Sequence, residues 1–398
     1  MKQVLLIALL DKEWPPDHSF VSGMLAKVAA RQHWLKVNLL VSGNKHKSRH
    51  VRRFEKAICL PALLSRRGIG RFLNFLVTIK LLRYQISRAE KTSQRVVLFV
   101  RNDPILLLAA ACLRPRVERL VFQSSFPHEE FSGMWIKRYL AKRAYRVASQ
   151  SVDAVTGVSP LGVKRISRYF PNAQKGPFIP LLSDFDSNHL PIHRDRSGLH
   201  RLQFIYIGAH SVGRELSLVL EAVVNALIAG AQANFRFVGG SKEEIENLSR
   251  VRGVDHWLKQ GAIIFEESIP RQQIPLLLSK ADVGMSLIPP KPIYIESSPT
   301  KLTEYMAAGL VVLATKGIPL QEQIVFDSSA GELVSWDINE ITGIICRLSN
   351  KPVEELRSMQ RLAKTFAKKS LTYQTCLKDF NSLIGWDHFE EAHSWSHS

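Results

Sequence analysis

Short apolar runs alternate with amphipathic stretches along the chain, and this alternation predicts strands and helices in turn. VLLIALL, KVNLLVSG, VVLFVRND, RLVFQSS and DAVTGVSP read as strands of the first half, with helices over Val21–Arg31, Pro104–Leu113 and Met134–Ser149 between them. The rhythm then restarts: LQFIYIGAH, NFRFVGG, AIIFEES, ADVGMSLIP and LVVLATKG are strand-like, with helices over Leu216–Ala229 and near Gln272–Ser279. The strands are near-continuous apolar runs rather than alternating ones, the pattern of parallel sheets covered by helices on both faces. Between the halves, SDFDSNHLPIHRDRSGLH is polar, carries Pro and Gly and lacks apolar periodicity, so it reads as a linker. Pro352–Leu383 reads as amphipathic helix, and the segment after Trp386 as a loose tail.

A chain of 398 residues is too long for one ordinary core, which agrees with two domains. Seven apolar residues from Val4 to Leu10 run directly into Asp11 with no small-residue cleavage site, which favours a buried first strand over a signal core. The longest apolar runs fall far below the roughly 20 residues needed to span a bilayer. Four cysteines (Cys59, Cys112, Cys346 and Cys376) lie far apart with no CxxC pair, which argues against zinc and a disulfide framework and for reduced thiols in the cytoplasm.

The chemistry concentrates in ESSPTKLTEYMAAGLVVLAT, Glu296–Thr315. Pro299 disfavours helix at Ser298, so a helix is expected to begin just after the proline. Its opening offers unpaired amides and the positive end of the helix dipole to an anion. Lys301 in that first turn is unfavourable unless an anionic ligand compensates it. Glu296 before the helix and Glu304 one turn inside it are then expected to border one pocket at the carboxyl ends of parallel strands. The plainer alternative is a solvated Glu296 in a loop and a Glu304 that pairs with Lys301 on the helix surface.

This stretch resembles the E-x7-E signature of retaining GT-B glycosyltransferases of family four, and the order of strands and helices fits that family over nearly the whole chain. The resemblance implies two Rossmann-like α/β domains facing each other across a cleft. The acceptor-binding domain would span 1–183, a linker 184–200 and the nucleotide-sugar domain 201–370. A helix over 371–385 would cross back to the first domain, and 386–398 would form a tail. By position, Glu304 would bind ribose hydroxyls and Glu296 the donor sugar, while Ser298, Pro299, Thr300 and Lys301 would hold sugar and phosphates. In YIGAHSVGRELSLVLEAV, Gly208 matches a family glycine and Arg214 the later of two basic positions; Ala209 stands where the earlier Arg is usual. Gly239 in FVGGSKEE fits the family's strand-to-glycine turn, or a plain turn, and Ile269 borders where a nucleobase would stack. His128 in SSFPHEEF is displaced from the family's usual histidine, where Ser124 or Ser125 stands, and is a candidate to assist leaving-group departure. Asp103 in VRNDP is a candidate acceptor contact or base. As an Asp directly before Pro104 it fits a helix N-cap better.

The formal net charge of +19 suits any polyanion or an anionic membrane. From Lys45 to Lys91 there are thirteen Lys or Arg against two acids, and MWIKRYLAKRAYRVAS carries five basic residues and no acid. Such helices either lie on an anionic membrane surface or complete the core with solvated charges. No helix-turn-helix, RNP or zinc pattern supports nucleic-acid binding. The expectation is a metal-independent retaining glycosyltransferase with no cofactor. It would take a UDP- or GDP-linked sugar to a sugar or lipid-linked acceptor in cell-surface polysaccharide, lipopolysaccharide or glycolipid assembly. Its location would be cytoplasmic, or peripheral on the inner face of the plasma membrane. The alternative is a non-catalytic basic membrane- or nucleic-acid-binding protein on a degenerate scaffold.

Overall fold

The computed structural model describes residues 3–13, 18–31, 34–42, 56–60, 69–183 and 201–386. The expected linker, the tail beyond Trp386, and 43–55 and 61–68 of the basic region lie outside the described residues. Two compact units result: Met1–Leu181 with Tyr373–Ser398, and Leu182–Thr372.

The first unit is built on a seven-stranded sheet: β1 (Val4–Glu13), β2 (Leu35–Ser42), β3 (Lys56–Leu60), β4 (Arg95–Arg101), β5 (Arg119–Ser124), β6 (Ala154–Gly157) and β7 (Gln174–Lys175). The strand order is β3-β2-β1-β4-β5-β6-β7 and every pair is parallel. Residues Val4 to Leu10 are all buried, as a strand covered on both faces requires. The second unit repeats the scheme with six strands: β8 (Leu202–Ile207), β9 (Ala233–Gly240), β10 (Ile263–Glu267), β11 (Val283–Ser286), β12 (Val311–Thr315) and β13 (Gly331–Val334). Their order is β10-β9-β8-β11-β12-β13, again all parallel. Both sheets are therefore Rossmann-like, as the α/β class expected from sequence requires. Their direction of winding reverses at β1/β4 and at β8/β11. Open sheets of this type bind ligands outside the carboxyl ends of the strands at such reversals.

Pro352–Leu383 is not one helix. It forms Val353–Ser370 in the second unit and Leu377–Leu383 in the first. The break at 371–376 buries Tyr373 and Cys376, which a helix continuing the buried row Leu356, Gln360, Ala363 and Ala367 would turn away from it. The returning segment is firmly seated in the first unit. Phe380 packs on Phe20 and Phe99, Tyr373 donates to Ser19 Oγ at 3.1 Å, and Arg119 Nε donates to the Leu383 carbonyl at 2.9 Å. Trp386 stacks on Trp34 with ring centroids 3.4 Å apart. Cys112, Cys346 and Cys376 are free thiols.

Candidate nucleotide-sugar site

A helix begins at Thr300, directly after Pro299, and runs to Ala307. Its N-cap, Pro299, makes no side-chain cap bond. Its buried face is Leu302, Thr303, Glu304, Tyr305 and Met306, and Gly309 ends it with φ +78° before β12. Tyr305 anchors the helix to the sheet: its hydroxyl oxygen accepts from the Ile207 amide at 2.8 Å, and burial raises its pKa. The ring lies so close to β11 that a Cβ on Gly284 would stand 2.3 Å from Tyr305 Cγ. The helix opening is thereby fixed against the ends of β8 and β11, at the winding reversal.

A cavity of about 200 Å³ lies there, and its wall includes Gly208, Arg214, Tyr294, Ser298, Thr300 and Lys301. Pro299, Ser286 and Tyr206 complete part of the same wall. Burial pushes the Tyr206 hydroxyl up to about 12, opposed by the nearby Arg214, so it stays neutral and donates to the Ala209 carbonyl at 3.1 Å. Six of the residues singled out from sequence (Gly208, Arg214, Ser298, Pro299, Thr300 and Lys301) therefore meet around one space.

The two glutamates are placed differently from the expectation that both border the pocket. Neither belongs to the cavity wall; Ser297 to Lys301, which lie between them, form one part of it. Glu304 is buried beneath the opening, with Oε2 on Lys301 Nζ at 2.6 Å and Oε1 on Arg271 at 3.1 Å. Helical spacing explains this, because positions three apart share a face and Lys301 reaches back over Glu304. The anion that compensates Lys301 at the helix start is Glu304 itself. Glu296 is half-buried at the end of the short helix Pro292–Ile295.

The loop Ser211–Glu215 and the segment Lys291–Tyr294 hold each other. The Arg214 guanidinium lies over the Tyr294 ring, 4.6 Å from its centroid, and the Tyr294 hydroxyl reaches the Gly213 carbonyl at 3.4 Å. Glu215, in the left-handed region at φ +51°, accepts from Lys291 at 2.5 Å and from Trp336 Nε1 at 3.2 Å. The Lys291 contact holds the Glu215 carboxyl below its usual range. Neither Tyr294 nor Arg271 was singled out from the sequence. Their roles depend on contacts across about 80 and 30 residues of chain, which no local spacing announces.

Behind the cavity, Gly239 has φ +123°, and a Cβ there would meet the Gly208 carbonyl oxygen at 2.3 Å. This is a close approach of two strand ends that only glycine allows. Ser268 Oγ donates to the Gly239 carbonyl at 3.1 Å, while Ile269 lies in the following turn, outside the cavity wall. His210 is buried between Gly240, Tyr206 and Phe265, with both ring nitrogens unpartnered, and burial lowers its pKa.

The remaining candidates lie in the first unit. Asp103 is a helix N-cap: its Oδ1 accepts from the Ile105 and Leu106 amides at 2.7 and 3.2 Å. That oxygen is committed to the cap, which accounts for the aspartate without any catalytic role. His128 opens the helix His128–Phe131 against Phe126 and lines an apolar groove of about 430 Å³. Close by, Asn102 in the left-handed region at φ +64° binds the Ser125 and Phe126 amides through Oδ1, at 2.6 and 3.2 Å. Arg101 donates to Gln123 and Ser125. These polar groups tie the ends of β4 and β5 together.

Residues 201–351 match the family model described as Glycosyl transferases group 1. Among solved structures, the chain is similar to one described as "trehalose-6-phosphate from E. coli bound with UDP-2-fluoro glucose", at 14% identity and a TM-score of 0.67, with 96% of this chain and 99% of that chain covered. It is similar to sucrose-phosphate synthase from Thermosynechococcus elongatus at 15% identity and a TM-score of 0.65, with coverages of 96% and 98%. For an α,α-trehalose 6-phosphate synthase from Burkholderia multivorans the identity is 11%, the TM-score 0.66 and the coverages 100% and 99%. A search of curated proteins gives no match. At such identities the structural likeness speaks of the fold. The second unit thus carries the glycosyl transferases group 1 pattern over residues 201–351, and the chain as a whole has the GT-B fold.

Proposed function

We propose that the protein is a glycosyltransferase that takes a sugar from a nucleotide-sugar donor and delivers it to an acceptor hydroxyl with retention. The observation that carries this reading is the small cavity at the opening of Thr300–Ala307, walled by Arg214, Lys301 and Gly208. Helix amides and two cations suit a diphosphate. Gly208, without a side chain, lets the backbone approach it. The structure described with UDP-2-fluoro glucose and another described in complex with glucose-6-phosphate favour a uridine-linked hexose and a phosphorylated or otherwise polar sugar acceptor as first substrates to try.

In this reading the donor diphosphate lies against Lys301, Arg214 and the amides near Thr300, which stabilise the charge that grows as the sugar–phosphate bond breaks. Positive charge from these groups takes the part that a metal plays elsewhere, and the reaction runs without one. The departing phosphate accepts the acceptor proton on the same face, so the anomeric configuration is kept. Lys301 turns from Glu304 toward the phosphate as the ribose hydroxyls engage Glu304, and Glu296 contacts the donor sugar. Assembly of cell-surface polysaccharide, lipopolysaccharide or glycolipid in the cytoplasm is the setting this chemistry fits. Among the described residues no helix is long and apolar enough to cross a membrane.

The test is to incubate the protein with uridine- and guanosine-linked sugars and a panel of sugar acceptors, following nucleoside diphosphate release and the product anomer by NMR. Transfer with the donor's anomeric configuration supports the proposal. Inverted product defeats retention, and no binding of any nucleotide-sugar defeats the whole reading.

A further inference from the structure

The helix Trp135–Ala148 buries Ala141, Ala144, Tyr145 and Ala148 in the first unit. Its outward surface is unusual for a helix facing water. Trp135 is 70% exposed, Tyr139 56% and Val147 61%, with Leu140 and Met134 also exposed. Lys137, Arg138, Lys142, Arg143 and Arg146 stand among them. Arg138, Lys142 and Arg146 form a row at four-residue spacing, a like-charge arrangement that destabilises a helix in water. Among the described residues none of the five has a carboxylate partner. Two cations at helices of the second unit, by contrast, pair with acids of the same segment: Arg250 with Glu246, and Arg357 with Glu354.

The neighbouring helices extend the same face. Trp135–Ala148 packs on Pro104–Ala111, which packs in turn on Ile69–Lys91. The last exposes Tyr84 at 60%, together with Leu73 and Leu76, beside Lys80 and Arg83. At the end of this layer lies the apolar groove walled by Pro104, Ile105, Phe126, Phe131 and Leu140, at the carboxyl ends of β4 and β5.

We propose that this helical layer docks on an anionic lipid bilayer and that the groove admits the apolar part of a lipid from it. Trp and Tyr rings with cationic side chains around them match the headgroup zone, where rings enter the acyl boundary and Lys and Arg meet lipid phosphates. The charge complementarity is one-signed, with five cations and no acid on the helix. Apolar residues protrude between the cations and continue into an apolar groove, whereas a polyanion such as duplex DNA offers nothing to receive them. The layer belongs wholly to the first unit, so the proposal does not rest on the donor-site reading.

The experiment uses the full-length protein and sedimenting vesicles of phosphatidylcholine, with and without phosphatidylglycerol. Binding to the anionic vesicles, weakened by salt, is expected, with little binding to neutral ones. Replacing Arg138, Lys142 and Arg146 together by Gln is expected to lower the partition coefficient about a hundredfold, since each surface cation contributes on the order of fivefold. Trp135→Ser with Tyr139→Ser is expected to lower it about tenfold or more while leaving the salt dependence in place. All five positions are exposed, so nucleoside diphosphate affinity is expected to be unchanged and the melting temperature not to fall, rising slightly where the like-charge row is removed. Equal binding to both vesicle types, indifference to the charge substitutions, or displacement from vesicles by stoichiometric duplex DNA would each overturn the proposal.

Discussion

The stacking of Arg214 on Tyr294 makes a prediction whose size can be worked out. Both residues are half-buried on the wall of the same cavity, 4.6 Å apart between guanidinium carbon and ring centroid. A cation–π contact of this kind is worth about 1 kcal/mol at a partly exposed site. It also confines an arginine that otherwise carries about 2 kcal/mol of rotamer freedom, part of which binding would have to remove. Tyr294→Leu removes both contributions and is expected to cost roughly 1–2 kcal/mol of nucleoside diphosphate affinity, about five- to thirtyfold. Tyr294→Phe keeps the ring and loses only the 3.4 Å hydroxyl contact to Gly213, so its affinity stays within about twofold. Titration calorimetry on both variants, each repeated with Arg214→Ala, forms a double-mutant cycle. If the ring acts by holding Arg214, Tyr294→Leu does nothing further once Arg214 is gone. Equal effects of Leu and Phe, or a full loss persisting without Arg214, would refute the reasoning.

Other expectations concern the frame behind the cavity. Gly239→Ala forces a Cβ to 2.3 Å from the Gly208 carbonyl at a backbone φ of +123°, and about 2 kcal/mol or more of strain should lower the melting temperature by several degrees; an unchanged melting curve would show that the strand ends separate freely. Glu304→Gln removes the buried carboxylate between the partly exposed Lys301 and Arg271, and the loss of these charge-assisted bonds should cost about 1–3 kcal/mol, read as a lower midpoint in urea. His210 is expected to make stability pH-dependent. Burial depresses its folded pKa, with Glu244 acting in the opposite sense, so the unfolded chain takes up the proton first and stability falls as pH drops below about 6.5. Melting temperatures between neutral and mildly acidic pH should fall more steeply for wild type than for His210→Leu, and parallel curves would contradict the assignment.

The sheet architecture was readable because parallel strands buried on both faces leave unbroken apolar runs, as VLLIALL and VVLFV show. The start of the helix at Thr300 was readable because Pro299 forbids helix before it. The break in Pro352–Leu383 was not, since each piece is amphipathic by itself and only the burial of Tyr373 and Cys376, off the row that Leu371 continues, separates them. At the site, the sequence suggested two glutamates lining a pocket. The plainer alternative, a pair between Lys301 and Glu304, was equally readable from their spacing of three and is what forms, buried rather than on the surface; the second partner, Arg271, comes from the separate turn Arg271–Gln273 and was not readable. Asp103 was readable as a cap because Asp followed by Pro is a local signal. Arg214 was readable as a candidate cation, but Tyr294 and its stacking on Arg214 were beyond such reading, since that contact exists only after the chain has folded.

In the proposed reaction the opening of Thr300–Ala307 holds a diphosphate through Lys301. The direct measurement is calorimetric titration of wild type and Lys301→Met with uridine diphosphate, guanosine diphosphate and the corresponding nucleosides at fixed salt. The predicted result is saturable binding of at least one diphosphate, much weaker binding of its nucleoside, and a tenfold to hundredfold loss in Lys301→Met, the size of one charge-assisted hydrogen bond. Binding of diphosphate and nucleoside alike, or an affinity indifferent to Lys301, would contradict it.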